Sequence, residues 1–507
     1  MRRSTSALVV ITMLLAGCSS SVLPSRLNAD KTLLSQTGKQ YSSGLLGIGE
    51  EQDRYRNQSL GLGLISHPAA ETYINEQLEK LKQASGISDL PGRVYLFADT
   101  ALGARASADG NIYIPYAMLK DLDTTDELAA LLAHELAHTI RNHNSSDVFV
   151  KFQKKAVVAA TLFANFKSND AGVIRSEDER RIENAFTALM VSDGFINPGW
   201  TRRQEEEADK LGLDLMMAAG YNSEAMFTLL DKLTSWEEMN KRRQSSDNEL
   251  VKNALASVNL NAESIPFGET VSGVLEKSAG KMDSLLSRFN KDHDSAEDRY
   301  NMLLDYADKH YPDASSPGQE RRQWQKIRKS RQTDNIWRGL QHIVDARESM
   351  ARGELASGER SIRDAVNVHT RHQNFVRQSY YELRSAQGKT SSMEQNLQLG
   401  LKGKYPSLMM HIEKTRLLTE KRDSNNQRQV LPLLDIFDDY GRPPSYYHQV
   451  IALAEDAGLS AKVTTLLADC FARYAGEGIN CTVESEEKEE STDLSYGNFI
   501  SGLFKKE

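Results

Sequence analysis

The sequence predicts a mainly α-helical protein that contains a small β-sheet. Apolar side chains recur at helical spacing in several segments, and two short segments before residue 115 are rich in β-branched and aromatic residues. Turn-like positions, most of them glycine, also recur at similar intervals in the last third of the chain, as in stacked helix pairs. With 507 residues, the chain is long enough for two or more domains.

The composition excludes some classes of protein. The formal net charge is -8, which argues against binding to nucleic acid. The apolar fraction of 39% and the charged fraction of 26% are ordinary for a protein that folds in water. No apolar stretch is long enough for a permanent membrane-spanning helix, so we do not expect an integral-membrane protein.

The first twenty residues have the features of a bacterial export signal. Two arginines and a short apolar run precede the tetrapeptide Leu15-Ala16-Gly17-Cys18. This tetrapeptide resembles a lipobox, which implies cleavage before Cys18 and acylation of that residue. Ser19 after the cysteine implies sorting to the outer membrane. The alternative is a plain secretory signal with a coincidental cysteine. We therefore expect a protein of the periplasm that is anchored to the outer membrane by lipid.

The segment from Asp126 to His143 carries the pattern HExxH. Its leucines recur at helical spacing, and Thr124 is placed to cap the start of a helix. His134 and His138 are four residues apart, so both imidazoles lie on one face and can bind one metal ion. Glu135 stands beside them and can accept a proton from water. The alternative is a surface helix with two chance histidines.

A catalytic zinc usually has three protein ligands, and HExxH supplies two. The longer pattern HExxHxxGxxH is not met, because Arg141 and Asn144 occupy the places of its glycine and third histidine. His143 lies nine residues after His134, which on a continuous helix is a rotation of about 180°. We therefore expect His143 to point away from the metal.

A better third ligand stands in the run from Gln204 to Gly212. Leucines at helical spacing place this run on a helix, and Glu205 and Asp209 are four residues apart on one face. Glu205 is a candidate ligand, and Asp209 can hold a ligand imidazole through its second nitrogen. The alternative is a solvated, charged helix face.

An HExxH pattern followed by an E-x-E-A-D-x-x-G run resembles the HtpX / CAAX prenyl endopeptidase group of zinc metallopeptidases (metallopeptidase family M48). The resemblance covers roughly residues 60–305, and periplasmic members with C-terminal repeats are the most similar. It implies a gluzincin-type metallopeptidase domain with one Zn²⁺ per chain. His134, His138 and Glu205 would be the metal ligands. Glu135 would be the catalytic base, with Asp209 behind the ligands.

Two further features follow from this resemblance. Periplasmic members carry a His-Pro pair before an arginine at a helix start, which His293, Asp294 and Arg299 match loosely. His293 would then approach the zinc as an added ligand or as a transition-state donor; the alternative is an exposed residue beside a helix cap. In such peptidases a strand beside the site pairs with the substrate backbone. Ile112–Ile114 is the candidate edge, and a buried strand is the alternative.

The chain after residue 316 has no motif of catalytic chemistry. Gly353, Gly388 and Gly458 fall at positions typical of turns between helices. Arg422-Asp423 occupies the corresponding place between the last two. Twelve residues after these four positions stand Ala365, Gly400, Leu434 and Cys470, of which three are small. This pattern resembles degenerate tetratricopeptide repeats, whose stacked helix pairs bind peptides or partner proteins. A plain helical domain is the alternative.

Cys470 and Cys481 are the two cysteines outside the signal segment. An oxidising compartment and their separation permit a disulfide, although a buried Cys470 with a free Cys481 is equally compatible.

We expect the chain to divide as follows: signal peptide at 1–17, lipid-anchored tether at 18–45, zinc metallopeptidase domain at 46–315, helical repeat domain at 316–480 and acidic tail at 481–507. The resemblance implies an endopeptidase that hydrolyses misfolded or misassembled outer-membrane proteins. Its repeat domain would bind the outer-membrane assembly machinery. The rival hypothesis is a chaperone or adaptor with a latent zinc site.

Overall fold

The computed structural model describes residues 31–42, 48–100, 102–143, 201–233, 235–236, 239, 296–312, 317–420 and 426–474. In these ranges the protein is mostly helical, with one four-stranded sheet. The prediction of a mainly α-helical chain with a small sheet is confirmed. No helix in these ranges is both long enough and apolar enough to span a bilayer.

The described part up to residue 143 contains the sheet and the first helices. They are α1 (Leu33–Gln36), α2 (Glu50–Gln58), β1 (Leu64–Ile65), α3 (Pro68–Ser85), β2 (Val94–Phe97), β3 (Arg105–Ala106), β4 (Ile112–Pro115), α4 (Met118–Asp121) and α5 (Thr125–Ile140). The predicted motif helix therefore ends three residues before His143.

The later described residues are almost entirely helical. They form α6 (Arg202–Ala219), α7 (Ala296–His310), α8 (Arg322–Arg328), α9 (Arg331–Ala351), α10 (Leu355–Ala365), α11 (Asn374–Ala386), α12 (Thr390–Gly400), α13 (Leu408–Glu420), α14 (Asn426–Asp439), α15 (Tyr447–Asp456) and α16 (Ser460–Tyr474). Residues 224–233 are also helical.

The sheet has the strand order β1-β2-β4-β3. β4 pairs in parallel with β2 and antiparallel with β3, so it is an interior strand. The prediction that Ile112–Ile114 forms a free edge is wrong. The turn at Gly110, whose N–H donates to the Ser107 carbonyl at 3.0 Å, closes a hairpin between β3 and β4. β3 is therefore the outermost strand of the sheet within the described residues, and a strand of two residues is too short to show an alternating pattern.

The core of the site region is built around α5. All sixteen residues of this helix are buried. It packs against α3, α6 and the β3–β4 hairpin, so the helix is surrounded by protein on several sides. This burial fixes the direction of its side chains, because a close-packed interior leaves little room for rotation.

Four consecutive helix pairs, from α9 to α16, follow in the last third of the chain. Gly353, Gly388 and Gly458 have φ values of 78°, 66° and 68° at the turns within three of these pairs. Glycine adopts this left-handed conformation without steric cost, which explains the recurrence seen in the sequence. The assignment of these pairs to the tetratricopeptide class stays a prediction.

One apolar cluster continues across the predicted boundary near residue 316. It extends from Leu33 to Leu383. Within it, the Trp324 ring stacks on Tyr73 at a centroid distance of 5.9 Å, and its Nε1 donates to the Leu122 carbonyl at 2.7 Å. The first helices after the boundary therefore share a core with the preceding residues, and the predicted domain limits stay a prediction.

Candidate metal centre

α5 presents the two histidines of the HExxH motif on one face. Thr124 Oγ1 accepts the Glu127 N–H at 3.0 Å and caps the start of the helix, as the sequence predicts. His134 and His138 lie one turn apart near the C-terminal end of α5. Their Nε2 atoms point toward each other and are 3.2 Å apart. Both side chains are almost entirely buried. Two nitrogen donors are thus held side by side in the interior.

α6 adds a carboxylate to this pair. The helix begins with a capping box between Thr201 and Gln204, which places Glu205 in its first turn. The Glu205 oxygens lie 3.6 Å from His134 Nε2 and 3.8 Å from His138 Nε2. The structure therefore brings together the three residues that the sequence singles out as ligands, from two separate helices.

The chemistry of these donors fits a metal ion. One ligand atom from each of His134, His138 and Glu205 lies within 4.8 Å of the others. Two donors bound to one zinc ion at its usual bond lengths lie about 3.4 Å apart in tetrahedral geometry, close to the separations found here. Two imidazoles and one carboxylate are also a common ligand set of catalytic zinc.

Asp209 and Arg299 hold the donors from behind. Asp209 Oδ1 lies 3.0 Å from His134 Nδ1, as the sequence predicts. The Arg299 guanidinium donates to both oxygens of Asp209, at 2.7 and 2.8 Å, and lies 3.0 Å from Glu205 Oε2. Burial alone would raise the pKa of Asp209, but Arg299 and the His134 hydrogen bond lower it to about 2. Asp209 is therefore ionised and accepts the proton of His134 Nδ1.

The two histidines have different protonation preferences. Burial opposes the charge of His134, but the hydrogen bond and charge of Asp209 raise the pKa of its imidazole above the usual value. Burial and the neighbouring His134 lower the pKa of His138 well below the usual value. His138 is therefore neutral, as a metal ligand must be.

Glu135 lies beside the donors, on the side of the sheet edge. Its carboxylate accepts a hydrogen bond from the backbone of Ala106 in β3. One of its oxygens, Oε2, is buried and has no hydrogen-bond partner within the described ranges. Burial raises the pKa of Glu135 to about 7, against the opposing effect of His134. A carboxylate of this pKa can both accept and return a proton near neutral pH.

This geometry agrees with comparisons to known proteins. The model of Peptidase family M48 matches residues 68–303. Residues 68–303 form a peptidase family M48 domain. The resemblance to this family that the sequence predicts is thereby confirmed.

Similar proteins carry names of metallopeptidases. The chain is 26% identical over 189 residues to the mitochondrial metalloendopeptidase OMA1 of Schizosaccharomyces pombe, covering 37% of this chain and 51% of that protein. It is 26% identical over 199 residues to the beta-barrel assembly-enhancing protease of Escherichia coli, covering 37% and 38%. It is 29% identical over 154 residues to the metalloprotease LoiP of Escherichia coli, covering 30% and 54%.

These matches cover about half or less of each relative. They support a metalloprotease and imply that the M48 domain holds a metal.

His143 does not point away from the M48 site, contrary to the expectation from helical rotation. α5 ends at Ile140, and Asn142 adopts a positive φ of 52°, so the chain reverses its direction. His143 is thereby buried against His138, with the two Nδ1 atoms 2.9 Å apart. The rotation of 100° per residue does not apply beyond the end of the helix.

Arg299 was also missed as a site residue. In the sequence it appears only as the arginine of a loosely matched motif, and nothing in its neighbours indicates two carboxylate partners. The separation of ninety residues from Asp209 explains why spacing could not reveal the contact.

Three predicted residues, Cys18, His293 and Cys481, lie outside the described ranges, so their roles stay predictions. Cys470 lies buried in α16 and takes part in a disulfide bond. Its pairing with Cys481 stays a prediction for the same reason.

Proposed function

We propose that this protein is a zinc metalloendopeptidase. The convergence of His134, His138 and Glu205 in the buried interior, with Glu135 beside them, is the observation that carries the proposal. Bound zinc supplies a Lewis acid that activates water and stabilises the negative charge of the peptide oxygen. Side chains of the protein carry out the proton transfers and hold the ligands in place.

Glu135 is the proton carrier of the proposed reaction. Its oxygen Oε2 accepts a proton from the attacking water, and the same carboxyl group then delivers the proton to the leaving amine. The hydrogen bond from the backbone of Ala106 favours the ionised form of this carboxylate. Arg299 keeps Glu205 and Asp209 in place and balances their charge.

The outer side of β3 is the proposed docking edge for substrate. β3 is the outermost strand of the sheet within the described residues, and the backbone of its Ala106 contacts Glu135. An extended peptide that pairs with this edge would run past the catalytic carboxylate. This replaces β4, which has partners on both sides.

The proposed setting is the bacterial periplasm, with a lipid anchor at Cys18 on the outer membrane. The lipobox resemblance supports this setting. The proposed substrates are misfolded or misassembled outer-membrane proteins, and the relative named beta-barrel assembly-enhancing protease supports this class. The helix pairs from α9 to α16 would act as a tetratricopeptide-like surface for substrates or the assembly machinery.

Cleavage of unfolded casein tests the proposal. We expect one zinc per chain and casein cleavage that is lost with a chelator and restored by zinc. Glu135→Gln should keep zinc, because Glu135 is not among the donors, and should lose cleavage by at least two orders of magnitude. If the Gln variant cleaves as fast as the wild type, Glu135 is not the base. Zinc-independent suppression of casein aggregation without cleavage would favour the chaperone hypothesis instead.

A further inference from the structure

The second ligand histidine has a partner that neither motif predicts. The reversal at Asn142 buries His143 against His138, with their rings at a centroid distance of 5.0 Å and an interplanar angle of 71°. The Nδ1 atoms of the two rings are 2.9 Å apart, which is a hydrogen-bond distance. One hydrogen must therefore lie between these two nitrogens.

The direction of this hydrogen bond follows from the site. His138 Nε2 faces His134 and Glu205, so it must be free of hydrogen to bind a cation. A neutral His138 then carries its hydrogen on Nδ1 and donates it to His143 Nδ1. His143 in turn carries its hydrogen on Nε2, which lies 3.5 Å from Glu207 Oε2, at the long end of the hydrogen-bond range.

Glu207 is a fixed acceptor. Arg141 donates to its Oε2 at 3.0 and 3.1 Å, and Arg203 donates to its Oε1 at 3.1 Å. The arrangement parallels the one behind the first histidine, where Asp209 accepts from His134 and is itself held by Arg299. From each ligand imidazole, hydrogen bonds thus lead to a carboxylate that arginine side chains hold in place.

We propose that His143 is a positioning residue that fixes the tautomer and orientation of His138 for metal binding, with Glu207 holding His143. The inference rests on the proposed metal site and deepens it. Partners of this kind on ligand histidines contribute 10–100-fold to metal affinity. His143 itself need not touch the metal or the substrate.

The test measures zinc affinity of the full-length protein, with zinc alone and a chromophoric chelator as competitor. We expect His143→Ala to weaken zinc binding 10–100-fold. His143→Asn should regain most of that loss, because its amide oxygen can accept from His138 Nδ1 in place of the imidazole nitrogen. With Co²⁺ as the probe, the visible absorption bands should shift in His143→Ala and return in His143→Asn.

Two matched variants of residues on α6 test the proposal if His143→Ala does not fold. Glu207→Ala should weaken zinc binding in the same direction, whereas Glu206→Ala should leave it unchanged. Glu206 is adjacent in sequence but pairs with Lys210 instead. Equal zinc affinity in Glu207→Ala and Glu206→Ala would overturn the role of Glu207.

The positioning role of His143 is overturned if His143→Ala binds zinc as tightly as the wild type, or if His143→Asn is as weak as His143→Ala. His134→Ala separates this failure from failure of the proposed metal site. If the wild type binds zinc no better than His134→Ala, the site itself is wrong. If the wild type binds zinc more tightly than His134→Ala and His143→Ala binds it as tightly as the wild type, only the positioning role is wrong.

Discussion

Arg299 is the residue on which the charge balance of the site depends. It contacts the carboxylates of both Glu205 and Asp209, and all three side chains are at least nine-tenths shielded from solvent. Buried carboxylates that lose their cation are costly, because water cannot replace the lost interaction. The arginine therefore allows two acidic side chains to approach the imidazoles before any metal binds.

We predict that Arg299→Ala destabilises the metal-free protein by about 3–5 kcal/mol. The loss should be smaller with saturating zinc, because the cation then balances the charge of Glu205. Urea unfolding with and without zinc measures both values. Arg322→Ala, at an exposed position of α8, is the control and should change neither. An equal loss in the presence and absence of zinc would contradict this account.

At the scale of single residues, the sequence predicted the site residues that are related by helical spacing. His134, Glu135 and His138 follow from one turn of helix, and Glu205 with Asp209 from another. His143 was misplaced because the end of α5 depends on the positive φ of Asn142, which no periodicity shows. Local patterns predict contacts within an element, but not those made after the chain turns.

The close approach of α5 and α6 is what turns two motifs into one site. Gly212 lies at the point of contact: a Cβ built there would stand 3.2 Å from the backbone nitrogen of His134 and 3.1 Å from Met226 Cε. The methionine end can move, but the backbone of a fully buried α5 cannot move freely. Glycine at this position therefore sets the distance between Glu205 and the histidines.

We predict that Gly212→Val destabilises the protein by about 1–3 kcal/mol, through overpacking against α5. It should also weaken zinc binding, because α6 carries Glu205 away from the imidazoles. Thermal unfolding and chelator competition measure the two effects. Ala218→Val, at an exposed position of the same helix, controls for the lower helix propensity of valine. A Gly212→Val protein that matches Ala218→Val in both measurements would refute the argument.

The sheet shows where element-level prediction ends. The segments around β2 and β4 were predicted from their β-branched and aromatic residues, but their parallel pairing was not. β3 has only two residues, which is too few for an alternation to appear. Its place on the far side of β4 depends on the crossover that joins the parallel strands β2 and β4. Such a crossover is determined by tertiary contacts.

At the scale of the whole molecule, buried polar contacts join residues at the start of the described chain to the helices after residue 316. His67 is fully buried at this junction: its Nδ1 accepts the Ala70 N–H at the start of α3, and its Nε2 lies 2.9 Å from Thr333 Oγ1 in α9. At a second contact, Gln58 of α2 donates to Tyr440 Oη at 2.7 Å. These contacts connect residues on both sides of residue 316, and the predicted domain limits stay a prediction.

This junction should make stability depend on pH. Burial lowers the pKa of His67 to about 4, so the unfolded chain binds a proton at higher pH than the folded one. Stability is therefore full above the unfolded pKa of about 6.5 and falls as the pH drops toward 4. At about 1.4 kcal/mol per pKa unit, we expect His67 to contribute a loss of about 3 kcal/mol over this window.

The comparison with His67→Asn isolates this contribution. Asparagine keeps a side-chain acceptor for the start of α3 but does not titrate. Urea unfolding between pH 4 and pH 7 should show a steeper loss in the wild type than in the variant. Equal slopes would contradict the prediction and would assign the pH dependence to other groups.

Gly353, Gly388 and Gly458 predicted the turns within three of the helix pairs, because a left-handed turn favours glycine. The continuity of the core from Leu33 to Leu383 was not predictable. Apolar positions on a helix show which face is buried, but not which other element covers it.

The central claim is that His134, His138 and Glu205 bind one cation between them. Crystals of the full-length protein equilibrated with zinc, with diffraction data collected at the zinc absorption edge, test it most directly. We predict an anomalous difference peak about 2.0–2.2 Å from Nε2 of both histidines and from a Glu205 carboxylate oxygen. A peak elsewhere, or no peak between these three side chains, would contradict the claim.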